Sequence, residues 1–257
     1  MRLSRAGFSL IELSIVLVVI GLIIGSIVAG QSFIKAGELR SITRDLQRFQ
    51  QVTNSFSGKY RSLPGDMNNA VSYWGEVDGD ATDNFTITCA GTGSTTATTC
   101  NGNGDNFIGA GAAYYYESFR FWQHLANAQF IEGLYSGVTG GGGDPHCVIG
   151  TNCPKSRKAG GGFSVIHYAT PDASFLGDAQ GNLMFYGTAT ADFLTTGASL
   201  LATDAWNLDT KMDDGLPGFG ALQQFNDATL DNCVVDANTY DLAATSPACA
   251  FIFKLGV

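Results

Sequence analysis

Oxygen-bearing side chains alternate along Asn101-Gly102-Asn103-Gly104-Asp105-Asn106-Phe107. At this spacing the side chains of Asn101, Asn103 and Asp105 and the Phe107 carbonyl could ligate a calcium ion. A complete calcium loop has a glycine where Asn106 stands and a bidentate glutamate where this chain has Ala112; Glu117 is the nearby carboxylate able to substitute. A plain Asn/Gly turn accounts for the same residues. Asp78, Asp80 and Asp83 form a second acidic cluster, and Asp209, Asp213 and Asp214 a third. In the third, capping of a short helix by Thr203 or Asp204, with a stop at Gly215, explains much without a metal. Calcium at such sites would bind weakly, with Kd of about 10⁻⁴ to 10⁻³ M, and no cofactor is required.

Catalytic readings fail on content. His124, His146 and His167 lie in dissimilar settings, no G-x-S-x-G or phosphate-binding glycine loop occurs, and no cysteine has an evident activating base. The chain is therefore not expected to be an enzyme. A formal charge of −9 with only 14% charged residues disfavours nucleic acid as a partner. The six cysteines fall into three local couples with no C-x-x-C among them, which favours disulfides in an oxidising compartment over zinc. Because near neighbours close most cheaply in entropy, the expected bridges are Cys89–Cys100, Cys147–Cys153 and Cys233–Cys249.

The N-terminal segment positions a different kind of chemistry. Residues 8–29 form an apolar run with Glu12 as its only charged residue and would make a helix about 33 Å long, enough to cross a hydrocarbon core of about 30 Å. An ionised carboxylate in such a span costs up to about 3 kcal/mol at the bilayer centre and normally has a partner. Gly7-Phe8-Ser9-Leu10-Ile11-Glu12-Leu13 sets a glycine, an aromatic and the lone acid at fixed offsets behind a short basic segment.

The stretch GFSLIELSIVLVVIGLII, Gly7 through Ile24, resembles the leader junction and hydrophobic helix of the type IV pilins and the related type II secretion pseudopilins. The resemblance implies that a prepilin peptidase cuts between Gly7 and Phe8 and methylates the new Phe8 amine. It implies that Glu12 pairs with the Phe8 amine of a neighbouring subunit, so that correct register is the low-energy state. It also implies as partners identical or related pilin subunits and an inner-membrane assembly platform. The location implied is the membrane before assembly and an extracytoplasmic filament afterwards. The resemblance is strong over the first quarter of the chain. The proline common midway along this helix in adhesive-fibre pilins is absent, which leaves pilus and pseudopilus both open.

Beyond Gly30, Leu39, Ile42, Leu46, Phe49, Val52 and Phe56 recur at helical steps, so the helix is expected to continue as an amphipathic rod to a stop at Gly58. Arg40, Arg44 and Arg48 lie on another side, as a solvated face or as a contact for acidic heads. Leu63-Pro64-Gly65-Asp66 reads as a turn leaving the helix, with Tyr73-Trp74 sealing the head against it. A second helix is expected over 114–128 with one apolar face, and strands over 164–168, 183–186 and 250–255. The expected class is α+β: a pilin-like long N-terminal helix packed against a loop-rich, disulfide-clipped head with an antiparallel sheet. The expected divisions are a leader at 1–7, a helix at 8–58 and a head at 59–257.

Overall fold

Two sequence periods share one helix. In the computed structural model, which describes residues 9–77, 93–109, 115–140, 146–172, 174–191, 193–225 and 232–257, helix α1 runs unbroken over Leu10–Tyr60. Contacts divide the chain into two units, Met1–Arg40 and Ser41–Val257. In the first, the apolar side chains from Leu10 to Ile34 are exposed, Leu10 by 88%. This segment is long and apolar enough to cross a membrane.

In the second unit, α1 buries a stripe of Ile42, Leu46, Phe49, Thr53 and Phe56, at three- and four-residue steps. Phe49 packs edge-on against Trp122 and Phe163, with centroids 5.0 and 5.1 Å away. Phe56 meets Tyr60, Trp74, His124 and Phe130. The helix does not stop at Gly58. It ends after Tyr60, where Arg61 takes a left-handed φ of 56° and Pro64 follows. Helix α2, Val71–Trp74, carries Trp74 onto His124, 5.3 Å between centroids.

Helix α3, Tyr115–Asn127, lies close to where the sequence places it but differs in character. From Tyr116 to Leu125 every residue is buried, polar ones included. The apolar residues meet α1 and the sheet, while loops cover the polar side: Arg120 donates to Cys100 Sγ at 3.1 Å as well as to Gln123 Oε1 within the helix, and Gln123 donates to the Thr98 carbonyl. Burial of Arg120 and Gln123 is tolerable because partners meet them.

The main sheet comprises β1 (Gly161–Tyr168), β2 (Gly181–Thr188), β3 (Leu222–Gln224) and β6 (Phe251–Lys254), in the order β1-β2-β6-β3 with antiparallel pairing throughout. Register puts Phe163, Tyr186 and Phe251 on the face that meets Phe49. Ile166, Phe185 and Ile252 occupy the other face, packed with Phe175, Leu194 and Phe225 from loops. With both faces covered, the strands read as apolar runs, which is why β1, β2 and β6 are visible in the sequence. Strands β4 (Val234–Asp236) and β5 (Thr239–Tyr240) form a separate hairpin. The chain is thus α+β, with a long N-terminal helix and an antiparallel sheet.

Two of the expected bridges lie among the described residues. Cys147–Cys153 and Cys233–Cys249 are bonded, with Cα atoms 5.9 and 5.0 Å apart. Each removes on the order of 3 kcal/mol of loop entropy from the unfolded chain, in the chain-entropy picture. Cys89, and with it the expected Cys89–Cys100 bridge, lies outside the described residues, as do Gly7, Phe8, Asp78, Asp80, Asp83 and Ala112.

One crossing fixes the loop chemistry described next. The Gly102 amide donates to the Met67 carbonyl at 2.8 Å, and a Cβ on Gly102 would overlap the backbone of Gly65 and Asp66. Gly58 in α1 faces open space. Gly102→Ala should therefore lower stability by about 2 kcal/mol or more. Gly58→Ala should leave it unchanged or raise it by up to about 1 kcal/mol. Urea denaturation midpoints of the two variants check this contrast.

Candidate functional site

The residues able to do chemistry gather in three places: the start of α1, the 101–109 loop, and the end of a fourth helix.

At the start of α1 the backbone amide of Ser9 donates to Glu12 Oε2 at 2.8 Å, and the Glu12 amide donates to Ser9 Oγ at 3.3 Å. This is a reciprocal capping box, which satisfies two amide donors at a helix start. Its signature, Ser-x-x-Glu before an apolar run, is present in the sequence; reading Glu12 only as a lone charge overlooks it. Three hydroxyls farther along the exposed segment are also satisfied within the helix. Ser14 Oγ donates to the Ile11 carbonyl, Ser26 Oγ to Leu22 and Ser32 Oγ to Ala29, all at 2.8–2.9 Å. Such back-bonding lets a helix expose polar residues to an apolar medium without dangling donors.

In the 101–109 loop, Asp105 and Glu117 come together as the spacing anticipates, and Asp66 joins them. One carboxylate oxygen from each lies within 4.8 Å of the others. The sequence places Asp66 in a turn, and no local spacing links it to residues some forty positions on. Asn101 is directed elsewhere, its Oδ1 accepting the Val71 amide at 3.0 Å. Asn103 Oδ1 accepts the Asp105 amide, and Asn103 Nδ2 donates to Asp105 Oδ2 at 2.6 Å. Phe107 turns its ring onto His167, 4.1 Å between centroids, and its amide donates to Asp105 Oδ1.

The two buried acids anchor the loop. Asp66 Oδ1 accepts the amides of Gly104 and Asp105 at 2.6 and 3.0 Å, and its Oδ2 accepts that of Asn106 at 2.9 Å. Glu117 accepts the amides of Asn103 at 3.1 Å and Gly109 at 2.9 Å. Every carboxylate oxygen of the cluster thus already accepts a donor. Three carboxylates at this separation could hold a small divalent cation, but amides alone tie the loop down. Burial pushes the Asp66 carboxyl up to about 6. Burial first, and then the Asp66 and Asp105 charges, push Glu117 up to about 8 against the pull of its two amide donors.

Beside this loop, His124 is enclosed. The Gly65 amide donates to its Nδ1 at 3.0 Å, so Nε2 carries the proton and donates to Thr99 Oγ1 at 3.0 Å. Burial, with Arg120 adding to it, lowers its pKa to about 3, and it stays neutral. His167 bonds Asn182 across β1 and β2.

The third acidic group also assembles. Helix α4, Ala202–Met212, starts after Leu201 with no side-chain cap, so Thr203 and Asp204 do not cap it as expected. Asp209, Asp213 and Asp214 bring carboxylate oxygens within 4.8 Å of one another. Asp209 accepts the Tyr240 hydroxyl at 2.6 Å and the Gly215 amide at 3.1 Å, and burial raises it to about 6. Asp213 Oδ2 accepts the amides of Ala221 and Leu222, tying the loop to β3, and Asp214 accepts the Leu216 amide. Here too the acids hold backbone in place.

Comparison with protein-family models, with curated proteins and with solved structures gives no match to this chain.

Because Glu117 has a raised pKa in the fold, the native state holds a proton that the unfolded chain releases near its ordinary value of 4.5. That contribution is complete below pH 4.5 and is lost as pH rises through about 8. The stability of the wild type relative to Glu117→Gln should therefore fall by on the order of 2 kcal/mol between pH 5 and pH 8.5, equally in calcium and in chelator. Urea midpoints at the two pH values measure it; a pH-independent difference would contradict the assignment.

Proposed function

We propose that this chain is a structural subunit of a type IV pilus-like filament outside the cytoplasm. The observation that carries the reading is α1 from Leu10 to Ile34: an exposed apolar surface whose serine hydroxyls are satisfied internally and whose only acid, Glu12, stands at the start. Such a surface needs an apolar cover, first a membrane and then the helices of sibling subunits. In this reading a prepilin peptidase removes residues 1–7 and methylates Phe8, an inner-membrane platform extracts the subunit, and Glu12 meets the Phe8 amine of a neighbour. The disulfides support a head displayed in an oxidising compartment. A type II secretion pseudopilin would use the same helix for protein export. Deletion then blocks secretion of folded enzymes, whereas loss of a fibre subunit costs adhesion, motility or DNA uptake.

The capping box favours a second reading, a monomeric membrane-anchored binding protein, because it gives Glu12 a partner inside its own helix. Two substitutions separate the readings. Glu12→Gln keeps a cap-competent side chain and removes the charge; Ser9→Ala removes the hydroxyl and keeps the charge. The filament reading expects Glu12→Gln to reduce sheared filaments by about tenfold or more, since an unpaired amine is then left in the core, while Ser9→Ala assembles near the wild-type level. Equal assembly by both variants overturns charge pairing.

A further inference from the structure

The charges of the Ser41–Val257 unit are unevenly distributed. Residues 161–257 contain eleven Asp and no Glu against only Lys211 and Lys254. One group of cations lies elsewhere. Arg44, Arg48 and Arg157 all act on the charge of the half-buried Asp45, and the exposed Lys155 and half-buried Lys158 flank Arg157.

The sheet sets the two groups apart. Lys155 bridges Gly162, the Phe163 amide donates to the Pro154 carbonyl at 3.1 Å, and the Ser156 amide donates to Gly161, so residues 154–158 lie along the outer edge of β1. At the opposite edge, β3 is lined by the 213–217 segment, through Asp213 Oδ2 and the Pro217 carbonyl. The Gly218 amide donates to the Ala237 carbonyl at 2.9 Å, joining that segment to the β4–β5 hairpin. Asp214 and Asp236 are exposed here, around Leu216, Phe219 and Val235, which are themselves 37%, 46% and 70% exposed. Three strand spacings put the two edges about 14 Å apart, beyond the screening length of about 8 Å in physiological salt. The charges therefore do not neutralise each other within one chain.

We propose that the basic β1 edge, through Arg48, Lys155, Arg157 and Lys158, docks against the acidic β3 edge of a second copy, through Asp214 and Asp236. The exposed apolar residues of the β3 edge form the centre of the contact and the charges its rim. Two different patches at opposite edges make the contact heterologous, the type that propagates into an open array instead of closing as a dimer. The inference rests on the filament reading for its biological setting, and the test separates the two.

Full-length chains purified in a neutral detergent, mixed from light and ¹⁵N-labelled batches, are treated with a carbodiimide that joins lysine to carboxylate, and the products are mapped by mass spectrometry. Mixed-isotope links from Lys155 or Lys158 to Asp214 or Asp236 are expected, falling about fivefold or more in 1 M salt. Arg48→Glu with Arg157→Glu should reduce them by a similar factor. Adding Asp214→Lys and Asp236→Lys should restore mixed links, now between positions 48 or 157 and positions 214 or 236. Links found only within single chains, or mapping elsewhere, overturn the proposal. Protection of Lys155 and Lys158 from amine labelling only in vesicles containing phosphatidylglycerol, without mixed links, also overturns it and assigns the basic edge to lipid. If the links form as stated but the wild type makes no filament, the docking surface stands and the filament reading falls. Filaments without such links sink the surface alone.

Discussion

An apolar helical surface more than six turns long has no cover within its own unit, and the organisation of the chain follows from that. At about 25 cal/mol per Å² of apolar area, keeping Leu10 to Ile34 in water is costly, and the segment is long and apolar enough to cross a membrane. The same helix changes character after Arg40, where Ile42, Leu46, Phe49 and Phe56 bury themselves under aromatic side chains of α2, α3 and β1. One continuous element is thus closely packed at one end and carries an uncovered apolar surface at the other.

Polar groups follow the same division. Along the exposed segment they are few and closed on the helix itself, in the Ser9–Glu12 cap and the back-bonded hydroxyls of Ser14, Ser26 and Ser32. In the folded unit, acids act as staples for backbone: Asp66 and Glu117 gather the amides of the 103–109 loop, and Asp213 gathers those at the head of β3. Burial holds the proton on Glu117 well above the usual carboxylate range, so this loop is coupled to pH. Among the exposed charges, Lys155 and Arg157 lie along the outer edge of β1, while Asp214 and Asp236 lie near the β3 edge.

The parts legible in the sequence are those in which local period and global burial agree. The amphipathic half of α1, the strands β1, β2 and β6, and two cysteine couples follow from spacing alone. The misreadings share a cause, since each depends on what tertiary neighbours supply. Gly58 has a residue type that ends helices, yet the turn is made by Arg61 under the constraint of Pro64. Helix α3 has one apolar face by pattern but is buried from Tyr116 to Leu125, because loop residues Cys100 and Thr98 accept hydrogen bonds from Arg120 and Gln123. Strands β3, β4 and β5 are too short to show a period. The acid cluster was half legible: Asp105 and Glu117 share a neighbourhood in sequence, whereas Asp66 arrives only through the crossing at Gly102. The cap at Ser9 is legible as Ser-x-x-Glu ahead of an apolar run.

The account comes down to whether the exposed helix is a polymerisation element or an anchor. Mass mapping of the mature N-terminus, on native protein sheared from the cell surface and sedimented, tests this most directly. A chain beginning at a methylated Phe8 and pelleting as filaments is the predicted result. A chain that still carries residues 1–7 and remains monomeric in the membrane fraction would contradict it.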